Sequence, residues 1–511
     1  MLRGALWQSG GLNMMKRRTF VATGLASLAA ASWPTRRASA ALLAGSGNVD
    51  AKGLDGREVT LGEADVRDLR AALHGQLLAP GQEGYDAERR LWNAAFDKKP
   101  ALIARCVDAA DVQQAVRFAA AHRLLTAVKG GGHSLSGQSG CDGGLLISVS
   151  GMREVRIDRA ARLAHVQAGS LLGPVDHAAQ AEGMATVLGT VADTGVAGLT
   201  LGGGQGRLSR KFGLTIDNLE AVELVTADGR ALRASAQDNP DLYWAVRGGG
   251  GNFAVATSFS YRLHEIGPLL YGGTLTYAYD DARQMLRNYA DISAHAPDEL
   301  SADIVLTVDP ELKQRIIEID VCFCGAPADA ERTVAPLRKL GKPLRDQLAA
   351  VPYVKLQGSD DTPGPSTIGA YVKGGLVYGL TPALIDSIVD YIESHPTNNF
   401  VIELGSNGGA VARVAPQATA YFGRGATHDI LAFAFWKIPG EGAEASTAWV
   451  RGAWAQLEPH TRGNYVNLAS VDDREARVHA TYGDNYPRLA ALKKRYDPTN
   501  LFRLNANIKP A

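Results

Sequence analysis

Lys129-Gly130-Gly131-Gly132-His133-Ser134, Gly202-Gly203-Gly204-Gln205-Gly206 and Arg247-Gly248-Gly249-Gly250-Gly251-Asn252 are the stretches that decide how this chain is read. Glycine weakens regular structure, so three separate runs mark backbone that must come very close to something. Backbone N–H groups in such turns form concave anion sites, and main chain without Cβ atoms can reach the two phosphates of a dinucleotide. The usual phosphate motifs fail on spacing. A GxGxxG begun at Gly202 meets Arg207, and one begun at Gly130 meets Leu135. Gly132 to Ser139 imitates a P-loop, but Gln138 stands where the lysine is required. A GxSxG elbow is absent around Ser134, Ser136 and Ser139. By themselves the runs are also compatible with tight turns in a β-rich protein.

Outward from these runs, short apolar segments of strand length alternate with glycine clusters: Leu124–Val128, Leu145–Val149, Val155–Ile157, Ala164–Ala168, Ala221–Thr226 and Phe253–Leu263. Helical spacing is expected over Val66–Leu78, Asp111–His122 with Asp111 as N-cap, Pro174–Glu182 and Asp241–Val246. This is α+β character without the regular alternation of a doubly wound sheet. Residues 267–459 read differently, with longer strands (Ile304–Val308, Ile316–Cys324, Ile430–Trp436) and helices (Asp281–His295, Pro382–Ser394, Glu444–Leu457). The expected organisation is a first domain over 41–266, a second domain inserted over 267–459, and a return to the first over 460–511.

The 511 residues are too many for one common domain, and 46% apolar with 21% charged residues is ordinary globular composition. Basic and acidic residues balance at 53 each, so no net field favours nucleic acid. Four cysteines make no disulfide scaffold. Cys322 and Cys324 would share one face of a strand, and Cys141 reads as a packing residue. No HExxH and no zinc-spaced Cys/His quartet occurs, so no metal is expected. Lys16-Arg17-Arg18, an apolar run from Val21 to Trp33 and Ala38-Ser39-Ala40 follow the order of an export signal over residues 1–40, with the paired arginines of the twin-arginine type. That run is too short for a stable membrane span. The expected location is periplasmic or extracellular.

In order along the chain, Trp92-Asn93, Val128–Ser134 with Gly137, Gly195–Gly204 with Lys211–Leu214 and Asp217-Asn218, Asp241–Phe253, Tyr465-Val466-Asn467 and Tyr496–Phe502 resemble the berberine-bridge-enzyme-like branch of FAD-linked oxidases, in the vanillyl-alcohol-oxidase superfamily. The resemblance implies a two-part FAD-binding domain of PCMH type and an inserted α/β substrate domain built on an antiparallel sheet. It implies that FAD lies against Gly130, Gly131, Gly132, Ser134, Gly137, Thr194, Gly195, Gly198, Gly202, Gly203, Gly204 and Asn467, covalently bonded through its 8α carbon to His133. Val191 stands where some relatives carry a second, cysteinyl attachment, so a single bond is expected. Lys129 replaces an arginine common in the family, and Ser148 an aspartate, the latter with looser packing expected. Gly408–Val411 and Arg424 carry a weaker match in the inserted region.

The resemblance also implies oxidation of a small organic substrate by hydride transfer to flavin N5, with Tyr465 as base. A free phenol titrates near pH 10, so Tyr465 needs a cation, and Arg424 is the candidate if the fold brings it close. Glu403, Tyr371 and Tyr378 read as structural. The leading expectation is an alcohol or carbohydrate hydroxyl as substrate, with O2 or another acceptor regenerating the flavin. The alternatives are oxidation at a C–N or C–C bond of an aromatic metabolite, or a flavin- or sugar-binding protein without turnover.

Overall fold

The structure is a computed structural model, and residues 47–358, 367–473 and 475–511 are described in it. The export signal read in residues 1–40 lies outside the described residues.

Three sheets organise the chain. The first has four strands in the order Gln76–Leu78, Leu102–Arg105, Leu145–Ser148, Thr126–Lys129. Its inner strands pair in parallel, as crossovers through helix Ala109–Ala121 require. The second is antiparallel, in the order Ala231–Ser235, Leu219–Thr226, Ala254–Arg262, Leu163–Gln167, Val155–Asp158. Both sheets share one apolar core, and the C-terminal helix Tyr486–Tyr496 with Phe502 and Ile508 packs into it. The α+β class therefore holds.

The third sheet has eight antiparallel strands drawn from Leu269 to Lys437. Its central strands Leu300–Asp309, Val401–Ser406 and His428–Lys437 alternate strictly. Ile304, Leu306, Ile402, Leu404, Ile430, Ala432 and Ala434 point to one face, where helices Ala282–Ala294, Pro382–Ser394 and Ala443–Leu457 cover them. Each fully buried Leu or Ile there contributes about 1.5–3 kcal/mol. The opposite face, with Asp303, Glu403, Asp429 and Phe433, turns toward the rest of the molecule and lines its main cavity.

Two local expectations are corrected. The helix from Val66 ends at Ala72, and Gln76–Leu78 is an edge strand. Asp111 takes the N–H groups of His74 (2.7 Å) and Gly75 (3.0 Å), and Gly75 lies so close to the Arg105 carbonyl that no side chain fits, so the chain turns there into the sheet. Asp111 is not the cap either. Asp108 caps helix Ala109–Ala121 by accepting from Asp111 N, and Asp111 is spent, buried, on the loop before it. Cys322 and Cys324 do share one apolar cluster, and all four cysteines are buried and free.

Candidate active site

A cavity of about 470 Å³ runs between the glycine-rich loops and the open face of the eight-stranded sheet. Gly130, Gly131, Gly132, His133 and Ser134 line it from the loop after strand Thr126–Lys129, and Thr194, Gly195 and Gly198 from the start of helix Val196–Gly202. Gly250, Gly251 and Asn252 close one side. Asn252 binds this third glycine run to the C-terminus: its amide donates to Gly249 O and Ala506 O and accepts from Ile508 N. The Asp497 motif serves the same purpose. Lys493 and Asp497 form a buried pair at 2.6 Å, and Lys493 also donates to Asn252 O and Phe502 O.

The glycines divide by what they approach. A Cβ on Gly131 would lie 2.5 Å from Gly195 N, so these two residues let two backbone segments touch. A Cβ on Gly198 or Gly251 would meet nothing within 4 Å, and both residues line the cavity, so here the missing side chain leaves room for a ligand. Gly137, Gly202, Gly203 and Gly204 are not on the cavity wall. Gly137 packs under Phe96, Gly202 under Asn467, Gly203 under Tyr421 and Gly204 under Thr215.

His133 stacks on Trp92 with ring centroids 4.7 Å apart, and its Nε2 lies 3.3 Å from Asp193 Oδ1. Neither of those atoms has a hydrogen-bond partner. Asn93, next to Trp92, donates to Leu135 O and Ala370 O and accepts from Ala370 N, tying the His133 loop to the third sheet.

Tyr465 lines the cavity too. Its hydroxyl oxygen accepts from Gly204 N (2.9 Å) and from Asn467 Nδ2 (2.8 Å), and Asn467 also donates to Leu199 O. Burial pushes the phenol up to about 12, against the pull of those two donors. Arg424 does not assist it. Its guanidinium is bonded bidentately to Asp217 (2.6 and 2.8 Å) and to Thr419, which fixes the Asp217-Asn218 motif instead. Of Glu403, Tyr371 and Tyr378, Glu403 lines the cavity; Tyr371 donates to Asp472 and Tyr378 is half exposed beside Arg462. The residues that sequence reasoning missed are on the sheet wall: Asp303, Asn407, Asp429, Phe433 and Phe435. Alternation within the strands was the available signal, since an aspartate inside an apolar strand must face something polar.

The geometry fits a dinucleotide. Side chains are absent where the wall would otherwise be filled, backbone N–H groups are plentiful, and one imidazole edge faces the space. Fold and site together define an FAD-linked oxidoreductase. The sequence profile of the FAD binding domain matches residues 100–235, and that described as berberine and berberine like matches residues 464–509. An FAD-linked oxidoreductase of Dictyostelium discoideum is 31% identical over 452 residues, covering 87% of this chain and 97% of the relative. The (R)-6-hydroxynicotine oxidase of Paenarthrobacter nicotinovorans is 30% identical over 455 residues, covering 86% and 97%. The crystal structure of 6-hydroxy-D-nicotine oxidase from Arthrobacter nicotinovorans superposes with a TM-score of 0.79 at 29% identity, covering 86% of this chain and 98% of that one. The chain belongs to the berberine-bridge-enzyme-like FAD-linked oxidoreductases of the vanillyl-alcohol-oxidase superfamily.

Proposed function

We propose that this enzyme carries its FAD on His133 and removes a hydride from a substrate carbon that bears a hydroxyl or amino group. The observation that carries this reading is that one cavity is lined together by His133, the glycine loops, Tyr465 and a polar sheet face. Gly130–Gly132, Gly195 and Gly198 would hold the cofactor, and the flavin, when bound, supplies the hydride acceptor. A histidine forming that bond must offer a ring nitrogen to the cavity, and His133 lines the cavity while its buried Nε2 is turned to Asp193, leaving the other ring nitrogen for the flavin. Asp193 at 3.3 Å stabilises positive charge that develops on the ring. Val191 offers no sulfur for a second bond.

Tyr465 handles the proton on the substrate heteroatom. With its phenol pushed up to about 12 it rests neutral, and it acts as base once its own proton has passed to solvent, the resulting phenolate taking the substrate proton. The N–H groups of Gly204 and Asn467 stabilise the charge building on its oxygen. Export through residues 1–40 belongs to the same proposal.

The test is direct. Acid-precipitated protein is expected to stay yellow, and mass spectrometry is expected to find the His133 peptide carrying FAD. A colourless precipitate with an unmodified peptide would remove the covalent assignment. Tyr465→Phe is expected to slow anaerobic flavin reduction by about 10²–10⁴-fold while flavin content is unchanged, as loss of a proton-transfer group does.

A further inference from the structure

Across three neighbouring strands of the third sheet, Asp303, Gly405 and Asp429 fall in one row. Ile304 pairs with Leu404 on one side, and Gly405 pairs with Asp429 on the other. Neighbouring strands lie about 4.8 Å apart, so the two aspartates start roughly 10 Å apart with no side chain between them. Asp429 leans over the glycine: a Cβ on Gly405 would sit 2.8 Å from its Oδ2. The next residue on the same face of the Val401–Ser406 strand is Glu403, beyond which come Val401, Leu431, Phe433 and Phe435.

The counter-charges are missing from this wall. Asp320, the next residue in the row beyond Asp303, is paired with Arg207. Asp303 accepts only from Ser406, through its N–H (2.7 Å) and hydroxyl (2.8 Å). Asp429 is 6% exposed and lines the cavity; its Oδ1 accepts from Asn407 Nδ2 (2.9 Å), and no cation pairs with it among the described residues. Among the described residues that line the cavity there is no lysine and no arginine. Arg207, bonded to Asp320, offsets part of the Asp303 charge from outside the cavity, whereas no cation among the described residues offsets Asp429, and a buried carboxyl so placed stays uncompensated until one arrives.

Resting on the flavin reading above, we propose that the substrate is an organic ammonium, its charge held between Asp303 and Asp429 and its apolar body laid against Leu431, Phe433 and Phe435. A carboxylate or phosphate ester would meet two like charges with no compensating cation. A neutral sugar would donate hydroxyls to the same carboxyls but would bring no charge to offset them. An amine satisfies them, and aromatic rings beside it favour a cation further. Burial raises the Asp303 carboxyl to about 6, with Asp320 adding to it and Ser406 and Arg207 opposing, and burial with the Asp303 charge raises Asp429 to about 7, so Asp429 above all is in the condition that a bound cation relieves.

Calorimetric titration of the enzyme as isolated decides this, with flavin colour read separately. The probes are N-methylbenzylamine, an ammonium at pH 7.5, its neutral isostere benzyl methyl ether, phenylacetate and cellobiose. The ammonium is expected to bind at least tenfold more tightly than the ether, and phenylacetate more weakly than both. Asp429→Asn is expected to bring the ammonium-to-ether ratio close to one, and Asp303→Asn to lower the ratio in the same sense if Asp429→Asn does not fold. Ether or cellobiose binding as tightly as the ammonium, or a ratio untouched by the variants that fold, would overturn the proposal. A colourless protein with the ammonium preference intact would sink the flavin reading alone, and a yellow protein without it would sink this inference alone.

Discussion

Lys129 and Ser148 pair across neighbouring strands, and each departs from the family pattern, which places arginine and aspartate there. The expected loosening does not occur, because Glu88 supplies the carboxylate from a different part of the chain. It accepts from the hydroxyls of Ser148 (2.5 Å) and Ser150 (2.8 Å) and lies 3.4 Å from Lys129 Nζ. Burial pushes the Glu88 carboxyl up, and Lys129 with the two serines outweighs it, so the group ends below its ordinary range. Both side chains of the pair are close to nine-tenths buried. Glu88→Gln is therefore expected to cost about 3 kcal/mol of stability, the penalty of stranding a buried cation, read from urea unfolding. Adding Ser148→Asp is expected to recover a good part of it, because that change puts the carboxylate back opposite Lys129; a double variant no better than Glu88→Gln would refute the exchange. The departures at 129 and 148 were legible in the sequence, and their remedy was not, since Glu88 precedes Lys129 by a whole helix and loop. The same holds for Arg424, whose carboxylate partner Asp217 is brought to it by folding alone.

At the scale of elements, local signals predicted what local physics controls. Helix Pro382–Ser394 begins where Thr381 accepts from Leu384 N and Pro382 fills the first turn, and it was legible to the residue. The strand Gln76–Leu78 was not, because its neighbours Arg105 and Asp111 make the turn before it. The glycine runs were legible as close approach, but the sequence did not distinguish approach to a ligand from approach to other backbone. That distinction is testable. Gly195→Ala would push into the Gly131 backbone and is expected to destabilise the fold by about 1–3 kcal/mol, as overpacking does. Gly198→Ala adds a methyl to open space in the cavity wall, so it is expected to bind less flavin while its flavin-free form melts no lower than flavin-free wild type. Thermal melts and flavin absorbance per mole of protein separate the two, and equal flavin content in Gly198→Ala and wild type would move the cofactor away from this helix.

At the scale of the whole molecule, the glycine-loop half and the inserted region meet through polar groups whose partners are far apart in sequence, Arg207 with Asp320 and Arg210 with Asn407 among them. Asn93 is one such bridge; Asp176 and Gln357 make another. Gln357, at the end of helix Tyr353–Gln357, donates to Asp176 (3.3 Å) and to Gly189 O (3.0 Å), and Gly189 lines the cavity. Asp176 Oδ1 and Gln357 Oε1 are buried acceptors without a donor. A proton on Asp176 turns one acceptor into a donor, and burial raises its carboxyl to about 7, with the Gln357 hydrogen bond opposing. An unfolded aspartate titrates near 3.9. Between about pH 4 and pH 7 the folded chain thus holds the proton that the unfolded chain has lost. The unfolded state binds fewer protons there, so this group's contribution, fully present below pH 4, is lost as pH rises through 7. Asp176→Asn keeps a neutral side chain of the same shape at every pH. It is expected to be more stable than wild type by at least about 1 kcal/mol at pH 8, with the gap closing toward pH 4, in melts taken across that range; parallel curves for the two proteins would show that Asp176 does not hold its proton at this interface.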